Sequence, residues 1–373
     1  MKISFVIQDL MSQGAQYATA LMVRGFLLAG YEVDLVLSKV HEDLLASGLR
    51  PFEVPQDVHR VMLPNRRARE NIRPLRKYLS QCKAQAVVSM SPNYTRALRL
   101  AALGLHIRPR LVHVEHGLAG LSYGVVLPTP GRFSRKGILN RFLFGGYDRV
   151  LTVSAAGRED FLRYNDFYDK SHVAVVYNPV IDAAFFEKRG RPVRHPWLKT
   201  KTCPTFVSAG AYQEYKGHFD LLEAICRLKE KGLRFRVVVF GRGPLESDYA
   251  KFVAQHNLAD MIDFAGYTDQ FPAEAAAADG FILPSRRESF GIVLVEALAC
   301  GCPILATDAP FGPREILRDG KYGKLVAVKS PADLVSGIEA LLDGKIARAP
   351  DEAWQRFTLE AAVARYEKGI GLK

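Results

Sequence analysis

The sequence predicts an α/β protein built from two doubly wound domains, each with a parallel sheet covered by helices. Short valine-rich segments alternate with helix-length segments along most of the chain, as in buried parallel strands joined by crossover helices. The alternation stops in the polar, proline-bearing stretch 187–202 and then resumes. A chain of 373 residues with 48% hydrophobic content can fill two such cores. We expect one domain over 1–182 and another over 183–351.

In the first half, the apolar runs predict strands at 2–7, 32–37, 86–89, 110–114, 149–153 and 173–176. Residues 15–29 carry small and apolar side chains at helical spacing and predict a helix after the first strand.

In the second half, strands are expected at 205–208, 234–240, 261–264, 280–283 and 303–306. Helices are expected at 217–231, 244–256, 289–299 and 331–342, followed by a final helical segment over 354–369.

The net charge of +12 is uneven, with +9 in residues 1–182 and +3 in the remainder. A basic half suggests an anionic partner, which is a nucleic acid, a phospholipid surface or a phosphorylated acceptor. The densest basic cluster consists of Arg66, Arg67, Arg69, Arg73, Arg76 and Lys77. Pro74 is expected to start a helix there, leaving 66–73 as loop. For this cluster a solvated face is as compatible with the sequence as contact with a membrane or an acceptor.

A second basic cluster mixes charged and apolar residues without a clean separation on a helical wheel, and the same two interpretations apply to it. Its basic members are Arg132, Arg135, Lys136 and Arg141, and its apolar members are Phe133, Ile138, Leu139, Phe142 and Leu143.

Nothing in the sequence predicts a membrane span or a secretory signal, because no apolar run reaches the length of a bilayer helix and the N-terminus lacks a cleavage site. The five cysteines have no regular spacing and no neighbouring histidines for a zinc site. They fit a reducing compartment, so the expected location is the cytoplasm, including the inner face of its membrane.

The segment 284–303 is the most informative part of the chain. A strand leads into a loop and an apolar helix, with Glu288 and Glu296 eight positions apart. On a continuous helix, eight positions span roughly 12 Å, which is about the distance from the sugar ring to the ribose of a nucleotide-sugar. Between them, the free N–H groups of Phe290, Gly291, Ile292 and Val293 at the helix start would face an anion. An amphipathic core helix is the plainer interpretation of two glutamates alone.

A lysine follows the strand at 205–208 and immediately precedes the next predicted helix. Lys216 can reach a phosphate as a point charge, helped by the helix N–H groups, although a surface lysine would look the same. The neighbouring Gly241-Arg242-Gly243 follows a strand but lacks the third glycine of a dinucleotide fingerprint, so a tight turn explains it equally well.

In the first half, two positions at strand ends are candidates for ligand contact. Gly14, between the first strand and the first helix, would let backbone N–H groups approach a phosphate. His116 stands at the end of the strand at 110–114, where a polar side chain points away from the sheet. His113 lies within that strand and is expected to be structural.

Taken together, these segments resemble glycosyltransferase family four, whose members have the GT-B fold. The two glutamates separated by seven residues and the small-residue stretch 299–303 carry the resemblance, together with the Lys216 loop. It extends over nearly the whole chain and is strongest over 207–325. It implies two facing Rossmann-like domains, a cleft between them, and a final helix over 352–373 that packs back on the first domain.

The resemblance also implies a role for each candidate residue. Lys216 and the 290–293 amides would stabilise a departing diphosphate, Glu296 would bind the ribose, and Glu288 would hold the sugar hydroxyls. His116 would contact the transferred sugar, and the backbone at Gly266 would lie beside the base. Family members have an arginine where this chain has Ala211, so the second phosphate cation would shift to Arg242, Arg286, Arg287 or Arg314, with Arg242 and Arg287 preferred. The usual glycine pair in the first domain is here Gln13-Gly14.

The implied activity is retaining transfer of a sugar from a nucleoside diphosphate donor, uridine-linked by resemblance, to a lipid-linked or lipopolysaccharide-type glycan. The absence of an Asp-x-Asp sequence predicts that neither a metal nor another cofactor is required. Three alternatives remain open: a nucleotide-sugar epimerase on the same fold, a transferase that binds donor without turnover, and a nucleic-acid-binding protein. The last is disfavoured because stacking aromatics are not interleaved with the basic residues.

Overall fold

The computed structural model describes residues 1–11, 14–38, 52–106, 108–117, 121–122, 125–126 and 135–372. It divides the chain into two compact units, which are described separately. The first unit comprises Met1–Pro179 and Thr358–Lys373, and the second comprises Val180–Phe357. The sequence-based boundaries lie within six residues of these divisions, at 182 and 351.

The first unit is built on a parallel sheet of seven strands in the order β3-β2-β1-β4-β5-β8-β9. Its strands are β1 Lys2–Ile7, β2 Glu32–Leu37, β3 His59–Met62, β4 Ala86–Ser89, β5 Arg110–Glu115, β8 Arg149–Thr152 and β9 Val173–Val175. A short antiparallel pair, β6 Leu121–Ser122 and β7 Val125–Val126, stands apart. The central strands are buried on both faces, which explains their continuous apolar runs.

Helices cover the sheet of the first unit. They are Gly14–Leu28, Ile72–Gln81, Pro92–Ala101, Arg135–Phe144, Ala155–Tyr164 and Leu359–Ile370, with short 3-10 turns at Ala68–Asn71 and Lys170–His172. The edge strand β3 was not predicted from the sequence. The helix between β3 and β4 was expected to start at Pro74, but it spans Ile72–Gln81. Pro74 is the third residue of that helix, where the missing N–H costs nothing because first-turn amides have no intrahelical acceptor.

The final helix, Leu359–Ile370, belongs to the first unit and packs closely on Gly14–Leu28. A Cβ atom at Gly25 would lie 2.6 Å from Val363 and 2.7 Å from Leu359, so a larger residue there would force these side chains to shift. The Tyr31 hydroxyl donates a hydrogen bond of 2.8 Å to Glu367 across the same contact.

The second unit has a parallel sheet of six strands in the order β12-β11-β10-β13-β14-β15. They are β10 Thr205–Ala209, β11 Arg236–Phe240, β12 Ile262–Gly266, β13 Gly280–Leu283, β14 Ile304–Thr307 and β15 Lys324–Val326. The strand order reverses between β10 and β13, which pair directly through Phe206 with Gly280 and Val207 with Phe281. Loops that follow these two strands therefore leave the same edge of the sheet at its switch point.

The helices of the second unit flank this sheet. They are Ala183–Arg189, Pro196–Lys199, His218–Glu230, Glu246–Gln255, Phe271–Ala277, Ile292–Ala299, Gly312–Ile316, Pro331–Leu342 and Glu352–Gln355. Cys300 and Cys302 are buried, and their thiols donate to the carbonyls of Pro272 and Ala275, consistent with packing roles.

One predicted helix begins later than expected, with a consequence for the candidate site. The sequence placed its start at Ser289, but the helix spans Ile292–Ala299. Its N-cap, Gly291, has φ of 105°, a left-handed conformation that favours glycine and interrupts the helix. Glu288 therefore precedes the helix, and the predicted 12 Å spacing from helical rise does not apply to the two glutamates.

Candidate functional site

Two loops of the second unit meet at the carboxyl edge of β10 and β13. The Arg286 N–H donates to the Tyr215 carbonyl at 2.8 Å, which joins the loop after β13 to the loop after β10. Gly217 closes the first loop with φ of +70°, and a Cβ atom there would stand 2.0 Å from the Pro284 carbonyl oxygen. A glycine is thus required for both conformation and space, and it brings the two loops together.

The joined loops place Lys216 against Glu288. The Lys216 Nζ lies 2.6 Å from Glu288 Oε2, and their side chains are only 13% and 12% exposed. The Ser285 hydroxyl donates to the same carboxylate oxygen at 3.3 Å. A cation and an acceptor of hydroxyl groups, predicted from separate motifs, thus form one partly shielded ion pair.

A second ion pair, between Arg286 and Asp220, stabilises the position of the two loops. Arg286 donates from Nε and Nη2 to both carboxylate oxygens of Asp220, at 2.8 and 2.7 Å, and from Nη1 to Glu214 at 3.3 Å. Asp220 is buried in the first turn of the helix His218–Glu230. The planar guanidinium fits a carboxylate in two-point fashion, so the fork fixes one loop relative to the helix that follows the other.

The arginines proposed as replacements for the missing phosphate cation differ in their partners. Arg286 is committed to Asp220, and Arg314 pairs with Asp308 and Asp319. Arg287 lies over the Tyr215 ring at 5.4 Å, and Arg242 over the Tyr267 ring at 5.7 Å.

No carboxylate pairs with either Arg242 or Arg287 among the residues that the structure describes. This difference favours the two arginines preferred from the sequence.

The start of the helix Ile292–Ala299 offers backbone donors. The Leu294 and Val295 amides donate to the Gly291 carbonyl, so those of Ile292 and Val293 come first in the helix and have no intrahelical acceptor. Gly291 is the cap, and Phe290 precedes it, with its ring buried against Phe357 at 5.5 Å. The helix start therefore contributes the N–H groups of two residues, Ile292 and Val293, and not of the four expected from the sequence.

Glu296 lies on the same helix in an apolar setting. Burial raises the pKa of its carboxyl to about 7, and the opposing charge of Lys188 reduces the effect. No described residue donates a hydrogen bond to this carboxyl, whose residue is partly exposed. Such a group can accept from a ligand hydroxyl once it is ionised, and it changes charge near neutral pH.

Tyr267 lies near Glu296. It is 60% exposed, and its pKa is raised by burial of the hydroxyl and by the charges of Asp269 and Glu296. It follows Gly266, which ends β12 with φ of 74° and has open space beside its Cα. The Tyr267 ring, the Glu296 carboxyl and the Arg242 guanidinium therefore lie near one another at the end of β12. The resemblance predicts that the base of the donor nucleotide binds there.

The glycines of Gly241-Arg242-Gly243 have a packing role. A Cβ atom at Gly241 would lie 1.9 Å from the Gly210 carbonyl oxygen, and one at Gly243 would lie 2.4 Å from that of Tyr212. Neither glycine has a positive φ, so the limited space beside each Cα, and not a left-handed backbone, is what requires glycine here. They let the loop after β11 lie directly against the loop that carries Ala211.

Phe311 lies beside Glu288 and was not among the candidate site residues selected from the sequence. Its φ of 84° and ψ of −90° are strained for a residue with a side chain, and its backbone bridges to that of Glu288. A Cβ atom on the following residue, Gly312, would stand 1.8 Å from the Phe290 carbonyl oxygen. Asp220 and Tyr267 were also missed, because no local pattern marks a partner that is distant in sequence.

In the first unit, His116 follows β5 and is partly buried. Burial lowers its pKa to about 4, so the imidazole is neutral at pH 7. Its Nε2 is shielded from solvent and has no hydrogen-bond partner in the described residues. A neutral ring with an unused nitrogen is suited to a hydrogen bond with a ligand hydroxyl.

Behind His116 lies a buried polar chain. His113 contacts Thr95 through Nδ1 at 2.8 Å and Glu115 through Nε2 at 3.2 Å, while the Gly117 N–H donates to Glu115. Burial acts to raise the pKa of Glu115, but these hydrogen bonds and the His113 charge lower it overall. The chain holds the backbone on both sides of His116, in agreement with a structural position for His113.

Two further polar atoms at the same sheet edge lack partners within the described residues. They are Oε1 of Gln16, near the start of the helix after β1, and Oγ of Ser91, which follows β4. Ser91 occupies a helix N-cap but makes no side-chain cap bond. Gly14 is the exposed first residue of the helix Gly14–Leu28, while the neighbouring Gln13 lies outside the described residues.

The six residues of the 66–77 basic cluster are all exposed. Arg67 approaches Glu70 at 3.9 Å, and Arg76 donates to the carbonyls of Ala101 and Leu103. Arg73 lies in a helix and not in the expected loop. In the second basic cluster, Arg132 and Phe133 lie outside the described residues.

Neither a cluster of three metal-ligating side chains nor a helix long and apolar enough to cross a bilayer occurs in the described ranges.

Two family models match the chain side by side. The model described as Glycosyltransferase Family 4 matches residues 12–183, and the model described as Glycosyl transferases group 1 matches residues 192–356. The two matches adjoin near the boundary between the structural units.

Several bacterial proteins are similar in sequence. The N-acetylgalactosamine-N,N'-diacetylbacillosaminyl-diphospho-undecaprenol 4-alpha-N-acetylgalactosaminyltransferase of Campylobacter jejuni is 30% identical over 217 residues, 57% of each chain. The lipopolysaccharide core biosynthesis glycosyltransferase LpsE of Rhizobium meliloti is 28% identical over 183 residues, 48% of this chain and 50% of the relative. The chain thus spans about half the length of these relatives.

Solved structures share the fold over the full length. Anabaena HepE, in complex with UDP and glucose, covers 100% of both chains with a TM-score of 0.77 and 17% identity. The lipopolysaccharide outer core galactosyltransferase WaaB covers 100% of this chain and 99% of its own, with a TM-score of 0.71 and 16% identity.

Proposed function

Because the chain belongs to the family 4, group 1 type of glycosyltransferases with the GT-B fold, we propose that it transfers a sugar from a nucleoside diphosphate donor to a glycan acceptor. The donor is proposed to be uridine-linked, since the similar structure of HepE binds UDP and also UDP-glucose. The acceptor is proposed to be lipid-linked or of the lipopolysaccharide type, as the names of two relatives suggest for those proteins.

The single observation that carries this proposal is the Lys216–Glu288 pair beside the helix start at Ile292. It combines a cation and free amides for a diphosphate with a carboxylate for hydroxyl groups, which is the mixture a nucleotide-sugar presents. In the proposed complex, the Lys216 ammonium contacts the diphosphate in addition to Glu288. The Glu288 carboxylate accepts hydrogen bonds from the sugar hydroxyls. Glu296 accepts from the ribose, and the unused nitrogen of His116 is a candidate donor or acceptor for a hydroxyl of the transferred sugar.

The proposed reaction breaks the bond between the anomeric carbon and the donor phosphate oxygen. The acceptor hydroxyl oxygen forms the new bond to that carbon on the same face, with retention. Its proton goes to the departing diphosphate, so no side-chain base is assigned. Charge develops on the diphosphate, where Lys216 and the Ile292 and Val293 amides would stabilise it without a metal.

We place the protein at the cytoplasmic face of the membrane, where a lipid-linked acceptor would be met. Ala211 supports a second candidate, a donor-binding protein without turnover, because the usual second cation is absent.

A panel of uridine, guanosine and adenosine diphosphate sugars, scored first by thermal shift and then by product formation on lipid-linked oligosaccharides, tests the proposal. Stabilisation and product with one donor support transfer. Stabilisation with no product on any acceptor supports the second candidate, and no stabilisation contradicts both. Isomerisation of the donor without an acceptor would indicate an epimerase. NMR of the product linkage reports retention or inversion.

A further inference from the structure

Three helices of the first unit form one strongly basic surface. Ile72–Gln81 packs on Pro92–Ala101, and Pro92–Ala101 packs on Arg135–Phe144. Their sequences hold eight lysines and arginines and no acidic residue. The 66–77 basic cluster continues this surface on the side of the first helix. A predominantly basic surface of this extent is matched to a polyanionic partner.

The helix Arg135–Phe144 adds an apolar stripe to the basic surface. Ile138, Leu139 and Phe142 are 57%, 51% and 40% exposed, and their spacing places them on one side of the helix. Leu143, which flanks the stripe, is buried, and Phe144 on the opposite side places its ring 5.2 Å from that of Phe161. The helix is therefore anchored in the core without using its outward apolar stripe.

Further exposed apolar side chains lie beside the stripe. Among ten large hydrophobic residues that are exposed in the described chain, five lie on or directly after these helices. The two besides the stripe are Leu100 and Leu103, the latter next to Arg76, which donates to its carbonyl. Arg99 lies over the Phe142 ring at 5.1 Å and donates to the Phe142 carbonyl. Apolar and basic groups are thus interleaved at short range.

We propose that this surface is a membrane-docking face, with Ile138, Leu139 and Phe142 inserted among the headgroups of an anionic phospholipid leaflet. The apolar stripe would reach the boundary of the acyl chains, while the surrounding arginines and lysines bind lipid phosphates. A protein partner fits less well, because the cores of protein interfaces are depleted in charge. The inference deepens the proposed function and rests on it, since docking would hold the enzyme where a lipid-linked acceptor lies.

The test measures binding of the full chain to vesicles of phosphatidylglycerol and phosphatidylcholine in equal parts, and to vesicles of phosphatidylcholine alone. We expect sedimentation with the anionic vesicles only, weakened by salt. Ile138→Ser with Leu139→Ser should lower the partition coefficient about tenfold, because both the apolar and the electrostatic contributions are needed. Leu28→Ser, at a residue 76% exposed on another helix, is the matched control and should bind as the parent does.

Charge is tested separately from the apolar stripe. Arg73→Glu with Lys77→Glu should release the protein from anionic vesicles, whereas Lys251→Glu with Lys368→Glu, at exposed residues elsewhere, should not. A tryptophan in place of Leu139 should show a blue-shifted emission with anionic vesicles, as expected for insertion.

Several results would overturn the proposal. They are failure of the parent to bind anionic vesicles at low salt, equal binding to neutral vesicles, and unchanged binding after the Ile138 and Leu139 substitutions. Conversion of a parent dimer to a monomer by those substitutions, seen by sedimentation velocity, would assign the stripe to a protein interface instead. If the Ile138 and Leu139 variant loses vesicle binding but transfers sugar normally to a soluble acceptor, the proposed function stands. If the parent protein shows no transfer to any acceptor, the proposed function is contradicted, whatever its binding to vesicles.

Discussion

The ammonium of Lys216 lies 2.6 Å from the carboxylate of Glu288, although the two residues are 72 positions apart in the chain. In the structure each group satisfies the other. A bound diphosphate would compete with Glu288 for Lys216, and a bound sugar would compete with Lys216 for Glu288. The pair therefore holds both groups in position for the donor, which lowers the cost of organising them.

Lys216→Ala is expected to reduce the transfer rate by about two to three orders of magnitude, because it removes the proposed electrostatic stabiliser of the departing diphosphate. Single-turnover kinetics with saturating donor measure this effect. Lys251→Ala, at an exposed lysine of the same unit, is the control. Parental activity in the Lys216 variant would show that this loop does not hold the phosphates.

The affinity for a nucleotide-sugar should depend on the ionisation of Glu296, whose pKa is raised to about 7. Only the carboxylate can accept hydrogen bonds from both ribose hydroxyls, so the affinity for UDP-glucose should rise about tenfold between about pH 6 and about pH 8. Calorimetry measures this dependence, and Glu296→Gln should bind more weakly and lose it. A pH-independent affinity in the parent contradicts the assignment to the ribose.

Ionisation of Glu296 should raise the affinity for the donor but lower the stability of the folded protein. Because the pKa is raised in the folded state, the protonated form is favoured by folding, and stability is lost as pH rises from the unfolded value of about 4.5 to about 7. The loss is at most about 3 kcal/mol, and less because the side chain keeps some contact with water. Glu296→Gln should therefore gain Tm relative to the parent at alkaline pH and gain little at acidic pH.

Asp220 and Arg286 are predicted to act as positioning residues, since their fork fixes the loops that carry Lys216 and Glu288. Asp220→Asn should lower kcat about tenfold and weaken UDP binding by a smaller factor, because Lys216 loses its fixed position while the contact proposed between Glu296 and the ribose is kept. Arg286→Lys should not preserve activity, since an ammonium cannot make the two-point contact. Equal effects on kcat and on UDP binding would point to a general loss of structure.

Transfer should survive excess EDTA, since the chain has no Asp-x-Asp sequence and offers Lys216 and helix amides for the diphosphate. The measurement is initial rate with and without chelator, followed by addition of magnesium or manganese. Complete loss of transfer that either ion restores would require a metal-dependent mechanism.

Phe311 supplies a test of backbone strain beside Glu288. Phe311→Gly and Phe311→Ala both remove the ring, but only glycine adopts a φ of 84° without strain. The glycine variant should therefore be more stable than the alanine variant by about 1–2 kcal/mol in denaturant unfolding. The reverse order would mean that this backbone conformation is not held in solution.

The elements of this fold follow from local patterns that a reader of the chain can see. Short valine runs predicted most strands of both sheets to within two residues, because a strand buried on both faces must be apolar throughout. Lys216, Glu288 and Glu296 were selected by the position of the lysine between a strand and a helix, by the spacing of the two glutamates and by the resemblance to glycosyltransferase family four, because each residue alone has a plainer explanation.

Contacts between distant segments required the folded chain. The Lys216–Glu288 pair, the Asp220–Arg286 fork and the packing of Gly241 against Gly210 join residues that no periodicity connects. The helix after Glu288 starts late because a left-handed Gly291 interrupts it, and that conformation depends on the surrounding backbone. The pKa of Glu296 likewise comes from burial, which is a property of the packed structure: local sequence can place a charged side chain near a site, but only tertiary packing decides what pairs with it and how far water is excluded.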